Sequence, residues 1–271
     1  MTTISTTVAP PRPITPRVSP MAGLKQTMTL AWRTLVQLRH NPWELGDYSI
    51  QPIMFVLLFT YVFGGAIAGS TGAYLTFALP GIIVMNMLFV TMYVGTGLNT
   101  DITKGFFDRL RSLPIARWAP LAGRISADLV KQAWSIVLLL GVGMILGFRI
   151  GTSVASMFAA FALILLFALS FSWVSVLVGV VAKDPEKVML FGYTALFPIT
   201  FVSNVFVQTA TMPGWLQPIV RANPVSILAD AVRGLLVGGP VAAPVMQSLA
   251  WAAGIALVFA PLAVMRFKRR V

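Results

Sequence analysis

The chain has 271 residues, of which 57% are hydrophobic and only 10% charged, with one histidine and no cysteine; its mean hydropathy is +0.84. Soluble domains carry about 25% charged residues, so a soluble fold is excluded and an all-α integral membrane protein with room for about six helices of ~20 residues is expected. The net charge of +12 does not mark a nucleic-acid binder, because the basic residues sit in the gaps between apolar runs, and a chain without cysteine has no disulfide and no thiol or cysteine–zinc chemistry.

Residues 1–20 are rich in Thr, Ser and Pro and lack an apolar core, which predicts a disordered N-terminal arm ahead of one membrane domain over 21–271. The arm is not a signal peptide, so the first span is expected to act as its own insertion signal. Residues 23–41 predict a helix with Leu24, Met28, Trp32, Leu35 and Leu38 on one face and Lys25, Thr29, Arg33 and Gln37 opposite. Trp and basic residues on such a helix favour lying in the headgroup plane over crossing the bilayer. Asn41-Pro42 ends it, since the residue before a proline is pushed out of the helical region.

Six apolar stretches follow, at about 51–69, 75–98, 126–147, 153–181, 188–207 and 245–265, each read as a transmembrane helix. The third carries Asp128 and Lys131 in its first turns; with Arg124 they can pair at i+3 and i+4 and snorkel to the interface. The fourth is long for one span and must tilt or project. Gly64, Gly65, Gly95, Gly97, Gly141, Gly143 and Gly147 are expected to permit close helix approach.

Between the second and third spans, Asn99 to Pro114 form the concentrated run of charge. As a helix over about 100–113 it places Ile102, Phe106, Leu110 and Leu113 on one apolar stripe, and Asp101, Lys104, Asp108 and Arg111 on a line of alternating charge. Pro114 stops it. Two readings fit this segment: a cytoplasmic docking element moved by a soluble partner, or an ordinary amphipathic loop on the lipid surface.

Under the six-span reading, seventeen of the 20 Lys and Arg residues fall on the side that holds both termini, and only Arg149, Arg221 and Arg233 on the other. The positive-inside rule then puts both termini in the cytoplasm of a multi-pass plasma-membrane protein. The connection over 208–244 contains Met212-Pro-Gly-Trp-Leu216, Ala222-Asn-Pro-Val225 and a helical run, Ser226–Val237, that is too short to cross. An extracellular re-entrant hairpin is expected there, bearing Trp215, Asn223 and Pro224, with Asp230 and Arg233 neutralising each other three residues apart.

Catalytic chemistry is not visible. His40 stands among Arg39, Asn41 and Pro42 and is read as solvated; no paired acids lie within the spans, and no Gly-Lys dipeptide exists to build a phosphate loop. The chain is therefore expected to have no catalytic residue and no metal site, and to draw energy from a separate chain. Asn86, Met87, Thr91, Tyr93, Thr194, Phe197, Thr200 and Asn204 are candidates to line an amphiphile pathway; the alternative for Met and Phe is packing against lipid or a neighbouring span. Asn86, a mid-span amide, needs a partner and is expected to face protein.

Three blocks carry a family resemblance: Pro52-Ile-Met-Phe-Val-Leu-Leu-Phe-Thr-Tyr-Val-Phe-Gly-Gly65; Gly105-Phe-Phe-Asp-Arg-Leu-Arg-Ser-Leu-Pro-Ile-Ala-Arg117; and Phe197-Pro-Ile-Thr-Phe-Val-Ser-Asn204, continuing through Met212–Gln217 and Asn223-Pro-Val-Ser226 to Ala231-Val-Arg-Gly234. In this order the chain resembles, over about residues 24–268, the permease subunit of type-two ATP-binding-cassette exporters, in the branch related to the daunorubicin-resistance permease of actinobacteria. The resemblance implies six spans, an N-terminal connecting helix over 24–40, and two permease copies bound to two ATPase subunits that hold the ATP and magnesium. It implies a coupling helix after the second span, carried over onto Gly105, Asp108, Arg109, Arg111, Ser112, Leu113 and Pro114, and a hairpin acting as an extracellular lid. The expected function is the membrane subunit of an exporter of hydrophobic or amphiphilic compounds, itself without enzymatic activity. Export of a lipid or lipid-linked glycan is the rival within transport; a membrane-embedded lipid-modifying enzyme and a stand-alone channel are the rivals outside it.

Overall fold

The computed structural model describes residues 20–40, 42–107, 116 and 118–270. The expected N-terminal arm up to residue 19 lies outside the described residues, as do Asp108, Arg109, Arg111, Ser112, Leu113 and Pro114 of the expected docking element. The described residues form helices joined by turns and short non-helical segments, with no strand among them. Helix α1 (Pro20–His40) ends where expected, and Pro42 opens α2 (Pro42–Leu58), which runs on through a π turn, Phe59–Phe63, into Gly64–Ala68. Gly69, at φ +72°, and Ser70, whose hydroxyl accepts from the Ala73 amide at 3.2 Å, reverse the chain into α3 (Thr71–Thr103). Then come α4 (Ala119–Ile145), α5 (Val154–Val181), α6 (Pro185–Phe201), the short α7 (Gln217–Ala222), α8 (Pro224–Val237) and α9 (Ala242–Arg270).

Five helical stretches among the described residues are long and apolar enough to cross a membrane: Ser49–Ala68, which runs from α2 through the π turn, then α3, α4, α5 and α9. Six were expected, and the difference lies at α6. The stretch 188–207 is helical only as far as Phe201, which leaves a helix of 17 residues. Pro198 removes one intrahelical donor there, and the carbonyls of Ile199 and Val202, left without a helical partner where the helix ends, are taken by the Asn223 amide at 2.7 and 2.6 Å. The chain then continues as non-helical backbone in which Ser203 to Phe206 are buried.

Helix α3 is the hub of the bundle. It packs against α2, α4, α5, α6 and α8, and its apolar stretch is 78% buried where that of α9 is 17% buried. An all-round apolar surface is what a buried helix requires, and Tyr74, Leu79, Ile82 and Met87 are fully enclosed. The α3–α5 crossing is close enough for side chains to bond backbone. Ser175 Oγ accepts from the Gly95 amide at 2.9 Å, and Asn99 Nδ2 donates to the carbonyls of Gly179 and Ala182 at 2.9 and 2.8 Å. A Cβ on Gly95 or Gly179 would overlap the facing backbone. Gly64, Gly97 and Gly143 also sit against a neighbour, as expected of small residues in membranes. Gly65 and Gly141 instead face open space, and Gly147 (φ +106°) makes the turn after α4; close approach is not their role.

The charges at the start of α4 pair as their spacing predicts, with Arg124 3.7 Å and Lys131 3.4 Å from the Asp128 carboxylate. They do not snorkel. Asp128 and Lys131 are each 6% exposed, because α1 covers one side of α4 at Gly123, α3 covers another, and Asp101 on α3 supplies a fourth charge 3.0 Å from Arg124. Two acids and two bases make the set of four neutral, so its charges are balanced inside the protein by ion pairs at 3.0–3.7 Å.

Candidate functional site

The expected docking element is built differently from one continuous helix. Residues up to Thr103 belong to α3; Lys104 and Gly105 form a turn, with Gly105 at φ +66°, and Phe106 and Phe107 resume helical backbone. The expected helix is therefore broken near its start, since only a residue without Cβ adopts that left-handed conformation cheaply. Asp101, expected on the charged docking line, turns inward to Arg124. The turn is flanked on two sides, with the Arg33 guanidinium of α1 4.2 Å over the Phe106 ring and Phe107 buried edge-on against Phe267 of α9 at 5.2 Å; Gln26 Oε1 of α1 also accepts from the Ala116 amide at 2.9 Å. Arg33 and Phe106, placed in two separate elements by sequence, thus meet in one joint.

Helix α1 has three faces where periodicity showed two. Gly23, Thr27 and Leu30 press on Trp118 and Gly123 at the start of α4. Leu35 is half-buried near Val90 and Tyr93 of α3. Leu24, Met28 and Trp32 form a stripe that remains exposed.

At the other end of the bundle, the residues of the expected hairpin form a clasp. Arg233 Nη1 donates to Asp230 Oδ1 at 2.6 Å, its Nε donates to the Phe77 carbonyl of α3 at 3.0 Å, and its guanidinium lies 4.1 Å over the Phe77 ring. Asn204 Nδ2 donates to the same Asp230 oxygen at 2.8 Å, and the Asn204 amide donates to Ser226 Oγ at 3.1 Å. Asn223 caps α8 through the Val225 amide while its own amide closes α6. Helix α8 itself is enclosed by α3, α5 and α9, and the α4–α5 turn closes its far end, where the Gly151 amide and the Thr152 hydroxyl donate to the carbonyls of Leu236 and Leu235. Trp215 stands exposed at the rim. Sequence reasoning paired Asp230 with Arg233 and placed Asn204 among the pathway candidates, but did not find the bonds of Asn204 to Asp230, of Arg233 to Phe77 or of Thr152 to Leu235, whose partners lie far along the chain.

The candidate pathway residues divide by face. Asn86 donates to Ser135 Oγ of α4 at 2.8 Å, so it faces protein as expected. Met87, Thr91, Thr200 and Asn204 are buried within the bundle, Tyr93 is half-buried, and Thr194 and Phe197 are exposed. Phe197 belongs to a run of rings that passes from the exposed side of α6 inward to α3, the segment after α6 and the π turn that follows α2. Centroid steps are 5.7 Å from Tyr193 to Phe89, 6.3 Å to Phe197, 4.5 Å to Phe201, 5.3 Å to Phe206 and 4.1 Å to Phe59. Tyr193, Phe197 and Phe201 turn an exposed side outward. Deeper in, Gln132 lines a cavity of about 10 Å³ with Thr91, Asp128 and Ser172, and neither end of its amide meets a hydrogen-bond partner among the described residues.

The sequence pattern of the ABC-2 type transporter family matches residues 25–237. The chain is 40% identical over 248 residues to the daunorubicin resistance ABC transporter permease protein DrrB1 of Streptomyces coeruleorubidus, covering 92% of this chain and 88% of that one. It is 30% identical over 222 residues to the probable doxorubicin resistance ABC transporter permease protein DrrC of Mycobacterium tuberculosis, covering 79% and 78%. It is 23% identical over 198 residues to the inner membrane transport permease YadH of Escherichia coli, covering 68% and 73%. The chain belongs to the ABC-2 type transporter family.

Proposed function

We propose that this ABC-2 type permease is the membrane half of an ATP-driven exporter of hydrophobic, aromatic amphiphiles, working beside a second permease copy or paralogue and driven by two separate ATPase subunits that bind the ATP and magnesium. The observation that carries the cargo class is the row of exposed rings Tyr193, Phe197 and Phe201 on α6, backed by Phe89, Phe206 and Phe59 beneath them. Offset and edge-on aromatic contacts add attraction beyond apolar burial, so a planar aromatic cargo can exchange one ring for the next along that face. The names of the two relatives quoted as daunorubicin and doxorubicin resistance permeases support the same class.

A sixth crossing is part of this reading, and α6 with the non-helical segment after it supplies it. The segment leaves Ala182, bonded to Asn99 near one end of α3, and reaches Phe206, whose carbonyl accepts from the Tyr74 hydroxyl near the other end at 3.1 Å. Between those two levels α3 rises about 37 Å at 1.5 Å per residue, which exceeds the ~30 Å hydrocarbon core. Non-helical backbone is tolerated at membrane depth where protein covers it, and Ser203, Asn204 and Val205 are buried. With six crossings both termini lie in the cytoplasm with most of the basic residues, α1 rests its exposed stripe of Leu24, Met28 and Trp32 in the headgroup region, and the α7–α8 unit with Trp215 forms the external lid.

ATP binding then closes the ATPase pair and pushes on the segment from Lys104 to Pro114. Asp108, Arg109 and Arg111 offer it charge, while Ser112 and Leu113 lead to the stop at Pro114. The joint of Arg33, Phe106 and Phe107 passes the push into α1, α3 and α9, and the two permeases rock to change access to the aromatic face. The test is ATP-dependent accumulation of daunorubicin in inside-out vesicles holding this chain and its ATPase. The reading predicts uptake that falls severalfold in Phe197→Ala/Phe201→Ala at normal expression. No daunorubicin uptake, with ATP-dependent movement of a labelled lipid in the same vesicles, overturns it in favour of lipid export.

A further inference from the structure

Helices α5 and α9 end side by side in a basic cleft that the transport reading leaves unused. Arg270 in the last turn of α9 lies across the end of α5, where its Nη1 donates to the carbonyls of Val180 and Ala182, the second at 2.7 Å. The resulting open cleft, about 400 Å³, is lined by Val180, Val181, Lys183, Arg266, Arg269 and Arg270. Lys183, Arg266 and Arg269 are exposed, and the ion pairs of the described residues leave all three out. The carboxylate nearest in sequence, Asp184, is already engaged: it accepts from the Lys187 ammonium at 2.8 Å and from the Lys187 amide at 3.0 Å, hydrogen bonds that hold its carboxyl below the usual range.

The wall below these cations is apolar. Val181 is exposed, and Leu262 and Met265 of α9, each four residues before one of the two arginines and so on the same helix face, are exposed as well. A cluster of cations alone is satisfied by water and counter-ions. Three cations that form no ion pair among the described residues, next to exposed apolar side chains at the common end of two helices long and apolar enough to cross a bilayer, match a molecule with an anionic head and hydrocarbon tails. We propose that the cleft binds one anionic phospholipid of the adjoining leaflet, with its phosphodiester held by Lys183, Arg266 and Arg269 and its acyl chains along Leu262 and Met265. The exposed apolar side chains favour lipid over an acidic protein surface, which would leave Leu262 and Met265 uncovered. The inference rests on α5 and α9 being membrane crossings and not on the cargo, so it stands or falls separately from daunorubicin transport.

The experiment is native mass spectrometry of the purified full chain in detergent, exposed to equal amounts of phosphatidylglycerol and phosphatidylcholine. Near-surface cations each contribute measurably to anionic lipid binding, and the wild-type chain is expected to retain phosphatidylglycerol about tenfold better. The triple variant Lys183→Gln/Arg266→Gln/Arg269→Gln is expected to lose that preference, and Lys183→Arg/Arg266→Lys/Arg269→Lys to keep it; Arg270 stays untouched because it caps α5. Should the triple glutamine variant melt early, Arg269→Gln alone is expected to reduce the preference severalfold. Glycerol 1-phosphate at millimolar concentration is expected not to displace the lipid. Equal retention of both lipids by the wild type overturns the proposal, as does an unchanged preference in the glutamine variants. Displacement by glycerol phosphate makes the cleft a simple anion site, and loss of ATPase association with lipid preference intact makes it a protein docking surface; either result also overturns it.

Discussion

Asn204 and Asp230, 26 residues apart, share a hydrogen bond of 2.8 Å, and the oxygen they share is the one that Arg233 holds at 2.6 Å. One carboxylate therefore ties the non-helical end of the α6 segment to α8, while the same Arg233 ties α8 to the Phe77 carbonyl of α3. Hydrogen bonds to charged groups contribute about 1.5–3 kcal/mol each, and an unpaired buried charge costs more. Asp230→Ala is expected to lower the melting temperature of the purified protein by roughly 4–8 °C. Asp230→Ala/Arg233→Met, which removes both charges together, is expected to recover part of the loss. Equal melting of Asp230→Ala and wild type would show that the clasp holds nothing.

The path of α6 is open to a direct test because the native chain contains no cysteine. Single cysteines at Lys187 and at Trp215, both exposed, are expected to react with a membrane-impermeant maleimide from opposite sides: Trp215→Cys in intact cells, Lys187→Cys only after permeabilisation. Labelling of both from one side would reduce the crossings to the five long helices and move the C-terminus across the membrane.

Gly105 is defined by backbone, at φ +66°. Forcing an ordinary L residue into that region costs roughly 1–2 kcal/mol, less for asparagine. Gly105→Asn is expected to keep transport near the wild-type rate, whereas Gly105→Val is expected to reduce it severalfold at normal expression. Equal activity of the two variants would show that the turn is not needed for coupling. Arg109→Glu is expected to act differently, by loss of ATPase co-purification with normal melting, since like charge at a docking surface repels.

Gln132 makes the opposite kind of prediction. A buried amide without a partner is destabilising by about 1–3 kcal/mol, and Gln132 is 2% exposed with both amide ends unpartnered among the described residues. Gln132→Leu, of similar volume, is expected to raise the melting temperature by a few degrees. A fall in melting temperature would mean that the amide is satisfied in the membrane-embedded protein.

At the α3–α5 crossing, Gly179→Leu has no space to enter, since its side chain would start inside the Gly95 carbonyl. Overpacking of this kind costs about 1–3 kcal/mol or more, and little folded protein is expected in fluorescence size exclusion. Gly141→Leu, with open space beyond its Cα, is expected to express normally. Equal yields would remove the argument that this crossing is set by small residues.

What the sequence determined by itself is whatever depends on short stretches of chain. Apolar run length identified a helical membrane protein and located α2, α3, α4, α5 and α9, because helices in lipid must satisfy their own backbone. Proline at 42 and glycines at 238 and 239 marked helix ends within a residue or two, since those limits are local to the backbone. Spacing alone found the pairs Arg124–Asp128, Asp128–Lys131 and Asp230–Arg233, and three ordered blocks were enough to name the family. The tertiary structure decided which side each helix presents to which neighbour. Asp101 leaves the docking line for Arg124 on α4, Arg233 reaches a carbonyl 156 positions away, α6 stops at Phe201 under the Asn223 amide, and Leu24, Met28 and Trp32 stay outside while Thr27 is buried. None of these has a local signal. An all-apolar helix has no preferred face until its partners are in place, and a polar side chain inside it takes whichever donor or acceptor the packing brings within reach.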